Sequence, residues 1–345
     1  MCPICCESAE GCAPLVCGHT LHPKCLSGLL KRATFVEPAK CPLCRACIEP
    51  SSEADDLCLE GYNTNNEGLL LAALQLDPMH VFAMYCLGLY YKMMNVNPHC
   101  AVKYFTKGML THPMVTGTRF YQHRLASVSC RTELAVMCHE EDMEKEALQH
   151  LRIAMRELTD LDMKNSCRGL TILSGFATVY HDMENWPKAI YFYQKLLNME
   201  LQPDFHVDIL TAFIETLSLA KYTDAATESA RLLVRLFPAP EHYFILGQCL
   251  HVSGEAREAV GAFEIVRYNT PVNTQIHISS VYFSGVLHES LNEDLVAVVK
   301  YNFVIQFHSH RYAIDAHTRL AAIYDAYGMP QQAASMRAEV ARLSL

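Results

Sequence analysis

The 345-residue sequence contains no apolar run approaching the roughly 18 residues that a membrane-spanning helix requires. Its first residues do not resemble a secretory or transit segment. A basic excess is also absent, because 28 Lys and Arg residues face 37 Asp and Glu residues, for a formal net charge of −9. A negative balance counts against nucleic acid as the main partner. These absences predict a soluble protein of the cytoplasm or nucleus that binds neither membrane nor nucleic acid.

Motifs for self-contained catalysis are missing as well. The sequence shows no catalytic triad, no glycine-rich phosphate loop and no metalloprotease helix. Nine of the sixteen cysteines lie in the first 47 residues, and the others are scattered without pairing. Scattered cysteines in an apolar helical pattern are usually small buried hydrophobic residues, so a reducing compartment is expected.

The cysteines and histidines at the start of the chain fall into four ordered pairs. The pairs are Cys2 with Cys5, Cys17 with His19, His22 with Cys25, and Cys41 with Cys44. Two residues between paired cysteines allow both sulfurs to reach one ion, and tetrahedral sets of thiolates and imidazoles select Zn²⁺. Eight ligands therefore predict two zinc ions. A disulfide-stapled module is the alternative, which the reducing context disfavours.

Three further cysteines, Cys6, Cys12 and Cys47, lie in the same stretch. They are predicted to be free thiols. Cys44 and Cys47 nevertheless have the spacing of an alternative pair, so the register of the last ligands is left open.

This pattern, from residue 2 to residue 45, resembles a RING finger of the variant with histidine at the fourth and fifth ligand positions. The resemblance implies a small cross-brace fold in which the pairs interleave. One ion would then be held by Cys2, Cys5, His22 and Cys25, and the other by Cys17, His19, Cys41 and Cys44. With all four positions of each ion filled by protein, both zinc sites would be structural.

The same resemblance implies a ubiquitin ligase, which docks a ubiquitin-charged conjugating enzyme and positions its thioester for attack by a substrate lysine. Ile4 and Pro42 match the docking surface of the family, while Leu29 stands where many members carry the larger tryptophan. Arg45 matches the linchpin position, where a guanidinium can bridge ubiquitin and the conjugating enzyme. An ordinary surface arginine is the alternative interpretation of Arg45.

A polar segment, residues 49–66, is interpreted as a linker between a zinc module at residues 1–48 and a helical-repeat region at residues 67–345. In the repeat region a small residue is followed about twelve positions later by an alanine and then by a large residue. Gly247, Ala259 and Phe263 are the clearest set. Two antiparallel helices could approach closely at the small residues, with the ring filling the remaining space.

The same spacing recurs along the chain. The other anchors are Gly88, Ala135, Ala177, Gly285 and Ala321, with a weaker copy around Leu217. This pattern resembles the tetratricopeptide repeat, which implies an all-α superhelix of about six to seven helix pairs. Long early intervals predict extended helices or inserted turns near residues 114–130 and 158–169. Pentatricopeptide arrays have nearly the same period but tend to be basic, so the acidic balance disfavours them.

Tyr85, His139, His181 and His251 are expected to face the concave side, the histidines because each lies four residues after an anchor. The alternative is that they are solvated residues with no shared role. No ladder of lysines is visible, so neutral or basic and partly apolar partners are expected. If the histidines take part, binding would change between about pH 6 and 7.5.

Two functional hypotheses are consistent with these patterns. The first is a RING-type ubiquitin ligase that recruits a substrate or complex subunits through its repeats. The second is a non-catalytic adaptor, whose RING pairs with another RING and whose repeats organise a complex; a homo-oligomer is one form of that pairing. Ile4 and Arg45 favour the ligase, whereas Leu29 weakens the case.

Overall fold

The computed structural model describes residues 2–5, 13–14, 19–21, 25, 29, 40–45, 52–94, 97–111, 117–161, 166–307 and 311–343. Within these ranges the chain forms sixteen helices and a two-stranded antiparallel sheet. Strand β1 is Ala13–Pro14 and strand β2 is Thr20–Leu21, with Ala13 opposite Leu21. None of the helices in the described ranges is both long and apolar enough to cross a membrane.

The chain divides into two compact units, unit 1 at Met1–Asn185 and unit 2 at Trp186–Leu345. The helices of unit 1 are α1 Glu53–Asn63, α2 Glu67–Leu76, α3 Val81–Met94, α4 Pro98–Leu110, α5 Gly117–Glu140, α6 Glu144–Asp160 and α7 Cys167–Asp182. The helices of unit 2 are α8 Trp186–Leu197, α9 Pro203–Leu219, α10 Thr223–Leu236, α11 Pro240–Ser253, α12 Ala256–Asn269, α13 Gln275–Ser290, α14 Asp294–Val304, α15 Ala313–Ala326 and α16 Pro330–Leu343.

Each unit is built by packing every helix against the next one in the sequence, from α1 to α7 in unit 1 and from α8 to α16 in unit 2. Odd-numbered helices also contact the next odd-numbered helix, from α1 to α7 and between α11 and α13. Packing between near neighbours in sequence is typical of a helical-repeat solenoid. The predicted all-α solenoid with tetratricopeptide-like repeats is therefore confirmed.

The periodic residues identified in the sequence are buried. Ala259, Phe263 and Val266 of α12 have no exposed surface, and the same holds for Ala297 and Tyr301 of α14. Each helix therefore buries a stripe of small and large residues at helical spacing against its neighbours. The 24-residue length of α5 accounts for the long early interval between anchors. The predicted turn near residues 158–169 lies partly outside the described residues.

Three glycines mark close approach between the two helices of a pair. An added Cβ atom would meet a buried ring carbon at 2.3 Å for Gly88 and Phe105, at 2.8 Å for Gly247 and Phe263, and at 2.8 Å for Gly285 and Tyr301. Real Cβ atoms do not come within 3.0 Å of such neighbours. The predicted fit of a ring against a glycine is thus observed in both units.

The turns that follow odd-numbered helices share one backbone arrangement that the sequence analysis did not predict. In every such turn that the structure describes, which leaves out the turn after α3, one residue has φ between 50° and 85°; these residues are Asn65, Asp142, Glu184, Lys221, Gly254, Asn292 and Gly328. The next N–H then bonds the carbonyl five residues earlier, as from Tyr222 to Leu217 at 2.9 Å. This Schellman arrangement satisfies carbonyl groups at the end of the helix.

Residues 49–66 are not a linker throughout, because they contain α1. Ser52 and Asp55 form a reciprocal capping box at the start of this helix. Cys58 is fully buried in a cluster with Leu70 and Leu87. The array begins with a helix pair, since α1 packs against α2. The polar residues of this segment cover the exposed side of a helix.

A buried hydrogen bond fixes α1 on its neighbours. The Nε2 atom of His80 lies 2.9 Å from Oδ1 of Asp55, and Nδ1 of His80 accepts the N–H of Ala83 at 3.1 Å. Burial opposes ionisation of Asp55, but hydrogen bonds from His80 and Ser52 outweigh it and hold the pKa of this carboxyl well below its usual value. The ionised Asp55 therefore accepts hydrogen bonds from Ser52, which precedes α1, and from His80, which precedes α3.

We expect Gly285→Ala to destabilise unit 2, because the added Cβ must displace the buried ring of Tyr301. Overpacking of this kind costs about 1–3 kcal/mol. The matched control is Gly261→Ala in α12, where an added Cβ meets nothing within 4 Å. That control should gain about 0.5–1 kcal/mol, as alanine favours a helix over glycine. Urea denaturation followed by circular dichroism measures both, and equal midpoints for the two variants would contradict the close approach.

Candidate functional site

The first candidate metal group joins Cys2, Cys5 and Cys25. Their sulfur atoms all lie within 4.8 Å of one another. A turn through Pro3 and Ile4 brings the first two cysteines together, and Cys2 is buried. Three sulfurs at this separation can converge on one ion, which thiolates would bind at about 2.3 Å.

The second candidate group joins His19, Cys41 and Cys44, again with ligand atoms within 4.8 Å of one another. The sulfur of Cys41 lies 3.6 Å from Nδ1 of His19. A second turn, over residues 42–44, carries Cys44 back towards Cys41. It ends at Arg45, whose N–H bonds the carbonyl of Cys41 at 2.9 Å.

These two groups follow the interleaved order that the RING resemblance implies. The first pair lies beside Cys25, which is distant in sequence, and His19 lies beside the last pair. Six of the eight predicted ligands lie in these two groups, and their binding of zinc stays a prediction. The remaining two, Cys17 and His22, lie outside the described residues. Thiolates and imidazoles are the donors that Zn²⁺ prefers, so the residues present fit that ion.

The predicted docking residues lie near these groups. Ile4 is 42% exposed, Pro42 is exposed, and Leu29 is half-buried. Sequence reasoning missed Leu43, which is 57% exposed in the second turn. Its position between Cys41 and Cys44 mirrors that of Ile4 between Cys2 and Cys5, which was the available signal. The guanidinium of Arg45 is exposed, and its role in catalysis stays a prediction.

The helical units offer a different kind of site. We call the helices α1, α3, α5 and α7 the odd-helix layer of unit 1. Polar side chains connect its members: Lys92 lies 2.9 Å from Glu133, and His139 lies 2.8 Å from Asp182. The layer therefore presents charged and hydrogen-bonding groups from successive helices on one surface.

The odd-helix layer of unit 2 consists of α9, α11, α13 and α15. The rings of Phe244 in α11 and Phe283 in α13 lie 5.9 Å apart. Between α13 and α15, Glu289 accepts a hydrogen bond from Arg319 at 3.1 Å. Side chains thus connect α11, α13 and α15 in order.

Arg319 is the centre of a polar network in this layer. It donates to Asp315 at 2.9 Å, and the hydroxyl of Tyr282 donates to the same carboxylate. Burial alone would lower the pKa of Arg319, but the neighbouring Asp315 and Glu289 raise it, so the guanidinium stays charged. Burial and Asp315 together raise the pKa of Tyr282 to about 12. The phenol therefore stays protonated as a donor.

The predicted groove residues have distinct environments. His139 is engaged by Asp182, while Tyr85 packs its ring 6.2 Å from that of Phe105. Burial and the charge of Arg319 lower the pKa of His251. This histidine is therefore neutral at pH 7, and it would gain charge only below its ordinary pKa of about 6.5. Any pH dependence carried by His251 is therefore shifted to lower pH than that of an unperturbed imidazole.

No protein-family model matches the sequence, and no curated protein matches it. Among solved structures, the chain is similar to the C-terminal part of a TPR repeat-containing protein from Cytophaga hutchinsonii. The identity is 11%, the match covers 76% of this chain and 97% of that one, and the TM-score is 0.58. This likeness supports the helical-repeat fold alone.

Two further solved structures have lower TM-scores. YrrB, described as a TPR protein with an unusual peptide-binding site, is 21% identical, with 54% of this chain and 90% of that one covered and a TM-score of 0.43. Pseudomonas aeruginosa pilF is 15% identical, with 66% and 91% covered and a TM-score of 0.46. Neither similarity adds to the argument.

We expect about two zinc ions per chain when protein purified without chelator is analysed for metal. Cys5→Ser should reduce this to about one, because it removes a thiolate from the first group. Cys167→Ser, at an exposed cysteine of α7, is the matched control and should leave the count unchanged. One ion or none in the unaltered protein, or equal loss in both variants, would contradict the two-site arrangement.

Proposed function

We propose that this protein is a scaffold for protein–protein recognition, in which the odd-helix layers bind segments of partner proteins. The observation that carries the proposal is the layer of unit 2, where half-buried rings and polar groups of α11, α13 and α15 contact one another. Phe244 and Phe283 pack on one side against the buried ring of Phe263 and keep part of their surface accessible. Side chains of this kind can add contacts with a partner.

Repetition makes such a layer suitable for extended segments. Each helix pair adds a small number of contacts, so affinity is distributed along the array, while a few buried anchors dominate the energy. The helices are already ordered by their own packing, which reduces the entropy lost on binding. No nucleotide, substrate or metal is required for this function.

A photo-crosslinking residue can test which helices contact partners. Val252 in α11 and Val299 in α14 are matched, because both are valines and their exposed fractions are 66% and 67%. In the full-length protein in cells, the crosslinker at position 252 should capture a defined partner segment, identified by mass spectrometry. The crosslinker at position 299 should not capture that segment. Equal capture at both positions, or none at position 252, would contradict recognition by the odd-helix layer.

A second candidate function is a RING-type ubiquitin ligase. It is supported by the interleaved division of Cys2, Cys5 and Cys25 from His19 and Cys41 into two groups with zinc-like donors. When bound, each zinc ion would supply only a structural crosslink, from the first turn to Cys25 or from the second turn to His19, because each ion would be surrounded by protein ligands.

In this second candidate the catalytic contribution comes from positioning. The exposed side chain of Ile4 would contact the conjugating enzyme, with Pro42 and Leu29 beside it. Arg45 would hold ubiquitin and the conjugating enzyme in one orientation, which lowers the barrier by fixing the reacting groups. The helical layers would then bring the substrate.

Discharge of a ubiquitin-charged conjugating enzyme to free lysine distinguishes the two candidates. Ile4→Ala should abolish discharge, because it removes apolar contact from docking. Arg45→Ala should spare docking and slow discharge, since it removes orientation in the reactive state. Lys40→Ala, which removes another exposed cation of the same region, is the control and should leave the rate unchanged. Background rates in all four proteins would eliminate the ligase and leave the scaffold.

A further inference from the structure

Charge is segregated between the two helix layers of unit 2. Its odd-numbered helices α9, α11, α13 and α15 contain seven carboxylates and one basic residue, Arg319. Its even-numbered helices contain six carboxylates and nine Lys or Arg residues. In unit 1 the odd-numbered helices are nearly balanced, with seven carboxylates and five Lys or Arg residues. The negative odd-helix layer is therefore specific to unit 2.

Three of these carboxylates form a stripe along α9. Asp204, Asp208 and Glu215 are separated by four and seven residues, which places them on one side of a helix. All three are exposed, and the buried residues Ile209 and Leu210 lie on the opposite side. The stripe therefore points away from the core of unit 2.

Ion pairing divides the layer into two parts. Around α15, Arg319 neutralises Glu289 and Asp315, and Arg337 lies 2.5 Å from Asp325. Around α9 and the start of α11, the exposed carboxylates are Asp204, Asp208, Glu215 and Glu241. Among the residues that the structure describes, none of these four has an ion-pair partner. Their negative potential is thus available to a cationic partner.

Aromatic side chains lie between α11 and α13, and Glu241 precedes one of them, Phe244, by three residues in α11. Phe244 of α11 packs edge-to-face with Phe283 of α13, and the imidazole of His251 lies 6.3 Å from the Phe283 ring. All three are half-buried. Because burial keeps His251 neutral at pH 7, this group does not repel a cation. The region between α11 and α13 is therefore apolar and borders on carboxylates.

We propose that the odd-helix layer of unit 2 binds a short segment in which basic side chains adjoin apolar or aromatic ones. The basic side chains contact α9 and the start of α11, and the apolar ones contact Phe244 and Phe283. Neighbouring helix axes lie about 8–10 Å apart, so the distance from α9 to α13 corresponds to about six residues of extended chain. This inference rests on the proposed scaffold function and specifies the partner of the same layer.

Three fluorescent ten-residue peptides test the proposal on the full-length chain by fluorescence anisotropy. The first mixes Lys and Arg with Leu and Phe, the second has Glu in place of the basic residues, and the third has Ser in place of the apolar ones. The first should bind most tightly, and its affinity should fall as salt is raised, because exposed charges are screened. Equal binding of the second peptide overturns the charge argument, and equal binding of the third overturns the aromatic one.

Paired substitutions locate the binding surface. Asp208→Asn with Glu215→Gln should weaken binding of the first peptide about three- to tenfold, as expected for two exposed ion pairs. Asp224→Asn with Glu228→Gln makes the same change of charge on the even-numbered helix α10 and should leave the Kd within about twofold. If both variants bound the first peptide equally weakly, the loss of affinity would come from the change in net charge alone, and the assignment of the binding surface to α9 would be overturned.

The cross-linking experiment separates this inference from the scaffold function. A partner segment captured at Val252 should contain basic and apolar residues. Capture of an acidic segment at that position would overturn the present inference and leave the scaffold standing. Failure of both capture and peptide binding would overturn the two together.

Discussion

Close approach of two helices requires one of them to lack side-chain bulk at the crossing point, and the repeats of this protein depend on that constraint. Gly285 provides the space and the ring of Tyr301 occupies it. The ring is fully buried, and its hydroxyl donates to Glu289 at 2.7 Å. One crossing therefore sets both the separation of the helices and the position of a carboxylate in the odd-helix layer. Packing within a pair is in this way connected to the surface that the pair presents.

The turns between paired helices satisfy the hydrogen bonds that the helix ends leave open. The last carbonyl groups of a helix have no partner within that helix. Where the chain reverses direction within a few residues, a single left-handed residue allows two N–H groups to bond to these carbonyl groups. Where the residue is Gly254, the conformation has little cost. Where it is Lys221 or Glu184, a side chain is held in a less favourable region of backbone space. The recurrence of the arrangement shows that the reversal itself is required at each pair.

Periodic patterns were the part of the fold that the sequence could predict. Ala259 and Phe263 are buried because helical periodicity places them on one side, and periodicity is a local property. The bond between Asp55 and His80 joins residues 25 positions apart, and no local pattern signals it. Because the sequence did not reveal this bond, the polar composition of residues 49–66 was interpreted as that of a linker. The turns at Lys221 and Glu184 were missed for a related reason, since neither residue is the usual glycine.

The candidate sites show the same difference between local patterns, which the sequence reveals, and long-range contacts, which it does not. Paired spacing suggested that Cys2 and Cys5 act together, and the resemblance to a RING finger named Cys25 as their long-range partner. The three sulfurs do lie close together, while their binding of zinc stays a prediction. Charge segregation in unit 2 was not visible from composition, because the total charge of a segment does not reveal which helix layer carries it. It became visible once each carboxylate was assigned to an odd- or even-numbered helix.

The paired carboxylates of this layer lie towards α15 and include exposed Asp325 as well as Asp315 and Glu289. Asp315 and Glu289 lie within the Arg319 network, where partial removal of water makes an unpaired charge costly. Asp208 and Glu215 are exposed, so water solvates them and the fold imposes no partner. The fold therefore supplies a partner to the partly desolvated Glu289, whereas Asp208 and Glu215 are solvated by water alone. A cationic segment can bind the free carboxylates without first breaking an internal ion pair.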